Sequence, residues 1–468
     1  MQTQCTQIEF EFSKHHRRRV TARFDGGAIS SDGGAILLGE VDRRLKLLDR
    51  VATCFEDRRD PERIEHSVRE LVSQRVYGLA LGYEDLNDHD ELRHDPLLGL
   101  LAGKTDPRGE GRKREQDRGK ALAGKSTLNR LERSTDGADR YKKIACNFEA
   151  VDRLLTDLYL EAHKKPPKQI VLDLDATDTP LHGRQEGRFF HGYYNHYCYL
   201  PLYIFAGEHL LCARQRTSNQ DAAAGSVAEL ERIVERLRRR WPKTRILVRA
   251  DSGFCREELM AWCEANKVDY VLGLARNERL LAEIAEALEQ AAAEHERTGK
   301  AARRFVELEY QTRTSWRRAR RVVAKAEQIE GKQNPRFVVT SLDRKRYAAR
   351  RLYEQIYCAR GEMENRIKEQ LSLFADRMST QTIRANQMRL YFSSLAYTLM
   401  LGLRRLGLEG TAWARLQTET LRRQLLKVGT QVRVTARRVW LSLAESWPWR
   451  ALFETVFRRL CGPAPASA

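Results

Sequence analysis

The sequence predicts an α/β protein: a mixed-sheet core carrying a β-rich insertion, flanked by N-terminal and C-terminal helical regions. Three observations predict it. Short apolar runs alternate with helical stripes from 166 to 275, as strands and helices do in an α/β layer. A basic, strand-like stretch interrupts that pattern at 276–345. On both sides, apolar residues recur every three or four positions, as on the buried face of a helix.

Residues 1–165 read as mainly helical. "PERIEHSVRELVSQRVYGLALG" carries an apolar stripe of Ile64, Val68, Leu71, Val72, Val76 and Leu79. The polar connector "KTDPRGEGRKREQDRGKALAGK" reads as a loop, and "STLNRLERS" restarts a helix with Ser126 or Thr127 as its N-cap. Gly119, Gly124, Lys125 and Ser126 fit the phosphate-cradling pattern G-x-x-x-x-G-K-[ST]. That mechanism needs a buried strand before the first glycine, and "GRKREQDR" supplies none, so the match reads as accidental.

After the proline break "KKPPKQ" the core begins. "IVLDLDAT" is a strand, and "YLPLYIFAG" and "HLLCARQR" are two more, turning near Gly207. A helix over 222–240, the strand "RILVRAD", the helix "REELMAWCEANK" and the strand "DYVLGLA" complete 166–275. The early strand pairs are expected antiparallel and the later ones parallel. The insertion opens with a helix over 278–296, followed by "RRFVELEYQT", "RRARRVVAKAEQ" and "RFVVTSL" as strands. One long helix is expected over 347–374, so that 346–375 closes the core. Residues 376–468 then form a basic helical region.

Composition narrows the partners. With 83 Lys+Arg against 64 Asp+Glu, the formal charge is +19, which favours a polyanion such as nucleic acid. Residues 401–468 alone hold twelve Lys/Arg against four Asp/Glu. No apolar run of about 18 residues occurs and "MQTQCTQIEFEFSKHHRRR" has no apolar signal core, so a cytoplasmic, nucleoid-associated protein with no membrane partner is expected. Nine cysteines without a C-x-x-C pair read as buried free thiols. His191, His196 and Cys198 in "HGYYNHYC" match no standard zinc spacing.

The chemistry concentrates in carboxylates at strand ends. Asp173 and Asp175 are two apart on the first core strand and share a face, while Leu172 and Leu174 point to the other layer. Asp251 ends the strand "RILVRAD", where an unpaired charge would be costly. If those two strands are neighbours, as in the ribonuclease H arrangement, the aspartates converge. Glu364, beside Met363 at the border of a helical apolar stripe, can reach the same edge, with Arg360 and Lys368 one turn to either side. Three converging carboxylates repel unless cations intervene. Two Mg²⁺ ions, or Mn²⁺ in their place, held by the aspartates of the first strand, Asp251 and Glu364 would form a site for phosphoryl transfer. Turn-forming aspartates and a solvated glutamate are the structural alternative.

"LDLDATDTPLHGRQEG", "RADSGF", "YCARGEMENRIKEQ", "ALGYEDLNDHDELRHDP" and "STLNRLE" together resemble the DDE transposases of bacterial insertion sequences, in particular the family named after insertion sequence 1380. The resemblance covers most of the chain. It implies a ribonuclease H-like core with catalytic and metal-binding acids at Asp175, Asp251 and Glu364, Asp173 being the less favoured holder of the first role. The related insertion-sequence-4 signature Tyr-x-x-Arg-x-x-x-Glu is matched by Tyr357, Arg360 and Glu364. Its later lysine is replaced here by Leu371, leaving Lys368 as a substitute grip on phosphate. The resemblance also implies a base-stacking tryptophan in the insertion, for which Trp316, beside Arg317 and Arg318, is the candidate; packing beneath the insertion is the alternative. The implied activity is cut-and-paste transposition. The implied partners are terminal inverted repeats and target DNA, engaged by a homodimer, with 1–165 as a DNA-binding region and 376–468 serving DNA-end binding or dimerisation. A nuclease without strand transfer and a catalytically inactive DNA-binding protein are the other readings.

Overall fold

The computed structural model describes residues 9–462; Cys5 and the start of the segment read for a signal core lie outside them. Packing divides the chain into two compact units. One joins the residues up to Cys146 with those from Leu395 onward; the other is Asn147–Ser394.

The second unit is built on a nine-stranded sheet. Its main strands are β1 (Gln169–Ala176), β2 (Leu202–Ala206), β3 (His209–Arg214), β4 (Arg245–Ala250), β5 (Asp269–Leu274), β6 (Ala302–Tyr310), β7 (Arg320–Ile329) and β8 (Arg336–Thr340). The order is β3-β2-β1-β4-β5-β8-β7-β6, with the short strand Lys332–Gln333 beside β7. β1, β2 and β3 pair antiparallel, whereas β1–β4 and β4–β5 are parallel. The neighbouring of β1 and β4 is the one expected for a ribonuclease H-like core. The insertion strands extend this same sheet through the antiparallel β5–β8 pair.

Alternation sorts the side chains to two faces. Ile170, Leu172 and Leu174 of β1 join Ile246, Val248 and Ala250 of β4 in a core sealed by three helices: α1 (Phe148–Glu161), α2 (Ser226–Arg240) and α3 (Glu257–Ala265). α2 contributes Leu230, Ile233, Val234 and Leu237, a helical stripe, and ends in Arg238–Arg240, where cations favour the helix dipole. α1 lies with this unit, although the sequence division ends the N-terminal region at 165. On the opposite face Leu247, Val271, Val323 and Val338 pack with Leu352 and Tyr353. Asp173, Asp175 and Arg249 share the parity of that second face.

Several helices differ from expectation. α2 starts at Ser226 rather than 222, because Gly225 turns the chain with φ 74°. The helix expected over 278–296 is two, Glu278–Glu283 and α4 (Ala285–Thr298). The long helix over 347–374 is broken. It has a wide π-type turn at Leu352–Tyr357, a tight turn at Cys358–Arg360, and only then α5 (Gly361–Leu371). A long-range contact falls at this point: Arg249 Nη1 donates to the Ile356 carbonyl at 2.6 Å, competing with the helical ladder.

In the first unit the striped helix runs Val68–Leu81. It is held at its start by a capping box, Ser67 N donating to Glu70 Oε2 and Glu70 N to Ser67 Oγ. Ile64 precedes it. The helix Lys125–Glu132 follows Gly124, so Ser126 and Thr127 sit inside its first turn and neither caps it. A short 3₁₀ turn, Glu115–Asp117, precedes Gly119 where a phosphate-cradling loop would need a strand. The C-terminal region is not wholly helical: Thr430–Val434 pairs with Val439–Leu443 and with Ile29–Ser30 in a small sheet. The N-terminal region likewise holds a hairpin, Phe10–His15 with Arg18–Ala22. All the described cysteines are free thiols, buried except Cys358 and Cys461. No helix among the described residues is long and apolar enough to cross a membrane.

Candidate active site

β1 and β4 run side by side and both deliver carboxylates to the second face at their C-terminal ends. Asp251 immediately follows β4, and its Oδ1 accepts from Gly253 N at 2.9 Å, capping the turn Ser252–Phe254. Asp175 lies one residue from the end of β1, its Oδ1 accepting from Ala176 N at 2.9 Å. α5 supplies Glu364, and the tight turn before it supplies Arg360. Asp175, Asp251, Glu364, Arg360 and Lys368 all line one cavity of about 600 Å³.

Within that cavity Arg360 is shared. Its Nη1 donates to Asp175 Oδ2 at 3.3 Å and its Nη2 lies 3.5 Å from Glu364 Oε1. Burial pushes the Asp175 carboxyl up to about 6; Arg360 opposes the shift, and the negative charges of Asp251 and Glu364 add to it. Among the described residues no three His, Cys, Asp or Glu side chains are drawn together closely enough to hold a metal ion as they stand. The donors nevertheless suit a divalent cation. They are hard carboxylate oxygens, and the repulsion from Asp251 and Glu364 that adds to the burial of Asp175 is what a cation relieves.

The family model described as transposase DDE domain group 1 matches residues 12–462. The chain belongs to that family. It is also similar to a solved structure, a piggyBac transposase synaptic complex with hairpin DNA seen by cryo-EM. That similarity has a TM-score of 0.41 and 12% identity, over 93% of this chain and 83% of that one. A search of curated proteins finds no match.

Not every predicted site residue of this DDE transposase reaches the cavity. Asp173 is closed off: Arg249 Nε and Nη2 donate to its two oxygens at 2.5 and 2.8 Å. Tyr357 is half-buried and lines a neighbouring cavity of about 550 Å³ with Ser252, Gly273, Arg276 and Arg336. Trp316 is a correction. It is only 5% exposed, meets Tyr310 edge-on at 5.8 Å and belongs to the sheet core, so it offers no face to a base. Its neighbours Arg317 and Arg318 are exposed, and Arg318 pairs with Glu264 at 2.8 Å. His196 Nε2 lies 2.7 Å from Asp178 Oδ2 and Cys198 is buried; among the described residues they form no cluster of three metal-ligating side chains.

Three residues escaped the sequence reading. Arg249 fixes Asp173 and the Ile356 carbonyl at once; a cation inside the apolar strand "ILVRA" was the available signal. Gly273 lets backbone pass closely: a Cβ there would lie 2.6 Å from the Tyr357 hydroxyl and 2.8 Å from Ser252 N. Glycine inside a strand pattern marks such an approach. Tyr194 lines the acid cavity from the turn between Phe189–His191 and His196–Tyr199. Burial, with Asp178 and Asp175 nearby, pushes its hydroxyl up to about 12. No spacing in "HGYYNHYC" announced that role.

Proposed function

We propose that this protein is a DNA transposase that binds the terminal inverted repeats of an insertion sequence, cleaves there and joins the freed ends to target DNA. On the quoted motifs its family is that of insertion sequence 1380. The observation that carries the reading is the common cavity of Asp175, Asp251 and Glu364 around Arg360. Divalent magnesium or manganese bound there, two ions per site, would supply an activated oxygen nucleophile and stabilise the departing one.

Each residue then has a task. Asp175 and Asp251, on rigid strand ends, and Glu364, on α5, would hold the ions. Arg360 would orient the scissile phosphate, since a guanidinium already poised between two carboxylates presents donors to the same point. Lys368, exposed one turn beyond Glu364, would grip a flanking phosphate. Tyr357 would bound the DNA path, and Arg317 and Arg318 would meet its backbone. The N-terminal region and the basic C-terminal region would recognise the ends, and a homodimer would bring two ends together.

The test is a labelled duplex carrying the element's terminal repeat, purified protein and Mg²⁺. Metal-dependent nicking and joined products, both lost in Asp251→Ala, are expected. Equal cleavage by wild type and variant would remove Asp251 from the chemistry. Cutting without joined products would mark a nuclease, and binding without either would mark an inactive DNA-binding protein.

A further inference from the structure

We infer that the N-terminal β-ribbon is a clamp for duplex DNA, its cationic tip seated on phosphates beside a groove. The ribbon pairs Phe10–His15 with Arg18–Ala22 and turns at His16, whose φ is 56°. Every residue from 9 to 27 is exposed. A lone two-stranded ribbon is marginal in water. One that no part of its own unit buries is built to be completed by something outside it.

Charge identifies that partner. Lys14, Arg17, Arg18 and Arg19 fall within six consecutive residues with no acid among them, and among the described residues no carboxylate pairs with any of the four. Other arginines are closed by acids, among them Arg249 by Asp173 and Arg320 by Glu257 and Glu264. The ribbon's own root follows that habit: Arg23 pairs with Glu9 at 2.9 Å. The tip therefore gathers four cations that no acid among the described residues answers, which fits a polyanion.

Shape and side-chain character narrow the choice further. Phe12 opposite Val20 and Phe10 opposite Ala22 place one apolar face along the ribbon. Phe12 is 61% exposed and Phe24, edge-on to Phe10, is 94% exposed. The major groove of duplex DNA, about 12 Å wide, admits a two-stranded ribbon, offers apolar base methyls inside and carries phosphates at its rims. This proposal rests on the DNA reading above but concerns a surface outside the acid cavity.

The experiment uses the full chain and a duplex of mixed sequence about three helical turns long. Affinity is followed by fluorescence anisotropy between about 50 and 200 mM salt. The variant combines Lys14→Ser, Arg17→Ser, Arg18→Ser and Arg19→Ser. An unchanged melting temperature is expected, since the ribbon is exposed throughout. Binding at the lower salt should weaken more than about tenfold. The slope of log affinity against log salt should fall by up to about 3.6, because each of four lost phosphate contacts removes about 0.9. Duplex binding by wild type with the same affinity and slope in the variant would overturn the ribbon alone. No duplex binding by wild type would overturn it together with the DNA reading. Unchanged duplex binding with loss of a dimer, or of binding to anionic vesicles, would assign the ribbon to a second copy or to a lipid surface and overturn the proposal.

Discussion

Asp173 and Asp175 stand two residues apart on β1 and point to one face of the sheet, yet their surroundings differ in kind. Asp173 has an arginine of its own: both oxygens accept from Arg249, which also holds the Ile356 carbonyl. Asp175 shares Arg360 with Glu364, at the longer distances of 3.3 and 3.5 Å, beside a cavity that Asp251 also lines. A carboxylate matched one-to-one by a guanidinium is structural, because its charge is already answered. Three acids around one guanidinium leave negative charge over, and that surplus is where a further cation or a phosphate's metal belongs. The inner end of the strand therefore holds the frame, and the outer end faces the chemistry.

The comparison breaks most visibly at the outer end. Asp175→Asn, Asp251→Asn and Glu364→Gln should each lower single-turnover cleavage by at least about a thousandfold, the effect of removing several kcal/mol of metal-borne stabilisation. Melting temperatures should stay near wild type. At the inner end the pattern reverses. Arg249→Met leaves Asp173 buried and unpaired, and urea unfolding should show a loss of about 3–5 kcal/mol. Adding Asp173→Leu should recover most of it, since two apolar groups replace the pair.

Smaller effects sharpen the same contrast. Gly273→Ala would press on the Tyr357 hydroxyl and the Ser252 amide, beside Asp251, and should cost about 1–3 kcal/mol while also slowing cleavage. A second matched acid tests the structural class by pH. Burial raises the Glu264 carboxyl, but hydrogen bonds from Arg320, Arg318 and Tyr270 outweigh this and bring it from 4.5 to about 2. Its stabilisation is therefore complete above 4.5 and lost as pH falls towards 2. Thermal melting of wild type and Glu264→Gln should differ at neutral pH and converge across that window.

Much of this arrangement was legible in the residues. Period-two alternation put Leu172 and Leu174 on one face of "IVLDLDAT" and Asp173 and Asp175 on the other, and gave Asp251 of "RILVRAD" the parity of that second face, while the helical spacing of Arg360, Glu364 and Lys368 put them on one side of the helical segment. What stayed hidden depended on contacts between distant residues. The break in the helix before Glu364 falls where one guanidinium on β4 reaches Ile356, which no local propensity records. Trp316 could not be told from a stacking residue, because its burial depends on Tyr310 and on a sheet that the insertion continues. The strands Thr430–Val434 and Val439–Leu443 did carry a signal: exposed Gln431 and Arg433 alternate with buried Thr430 and Val432.

The account stands on Asp175, Asp251 and Glu364 acting on one cation. Manganese binding to the full-length protein, followed by electron paramagnetic resonance, tests that directly. Tight binding by wild type, lost or weakened at least about tenfold in Asp175→Asn, Asp251→Asn and Glu364→Gln and kept in Arg317→Ser, is the predicted result. Wild-type affinity persisting in all three acid variants would contradict it.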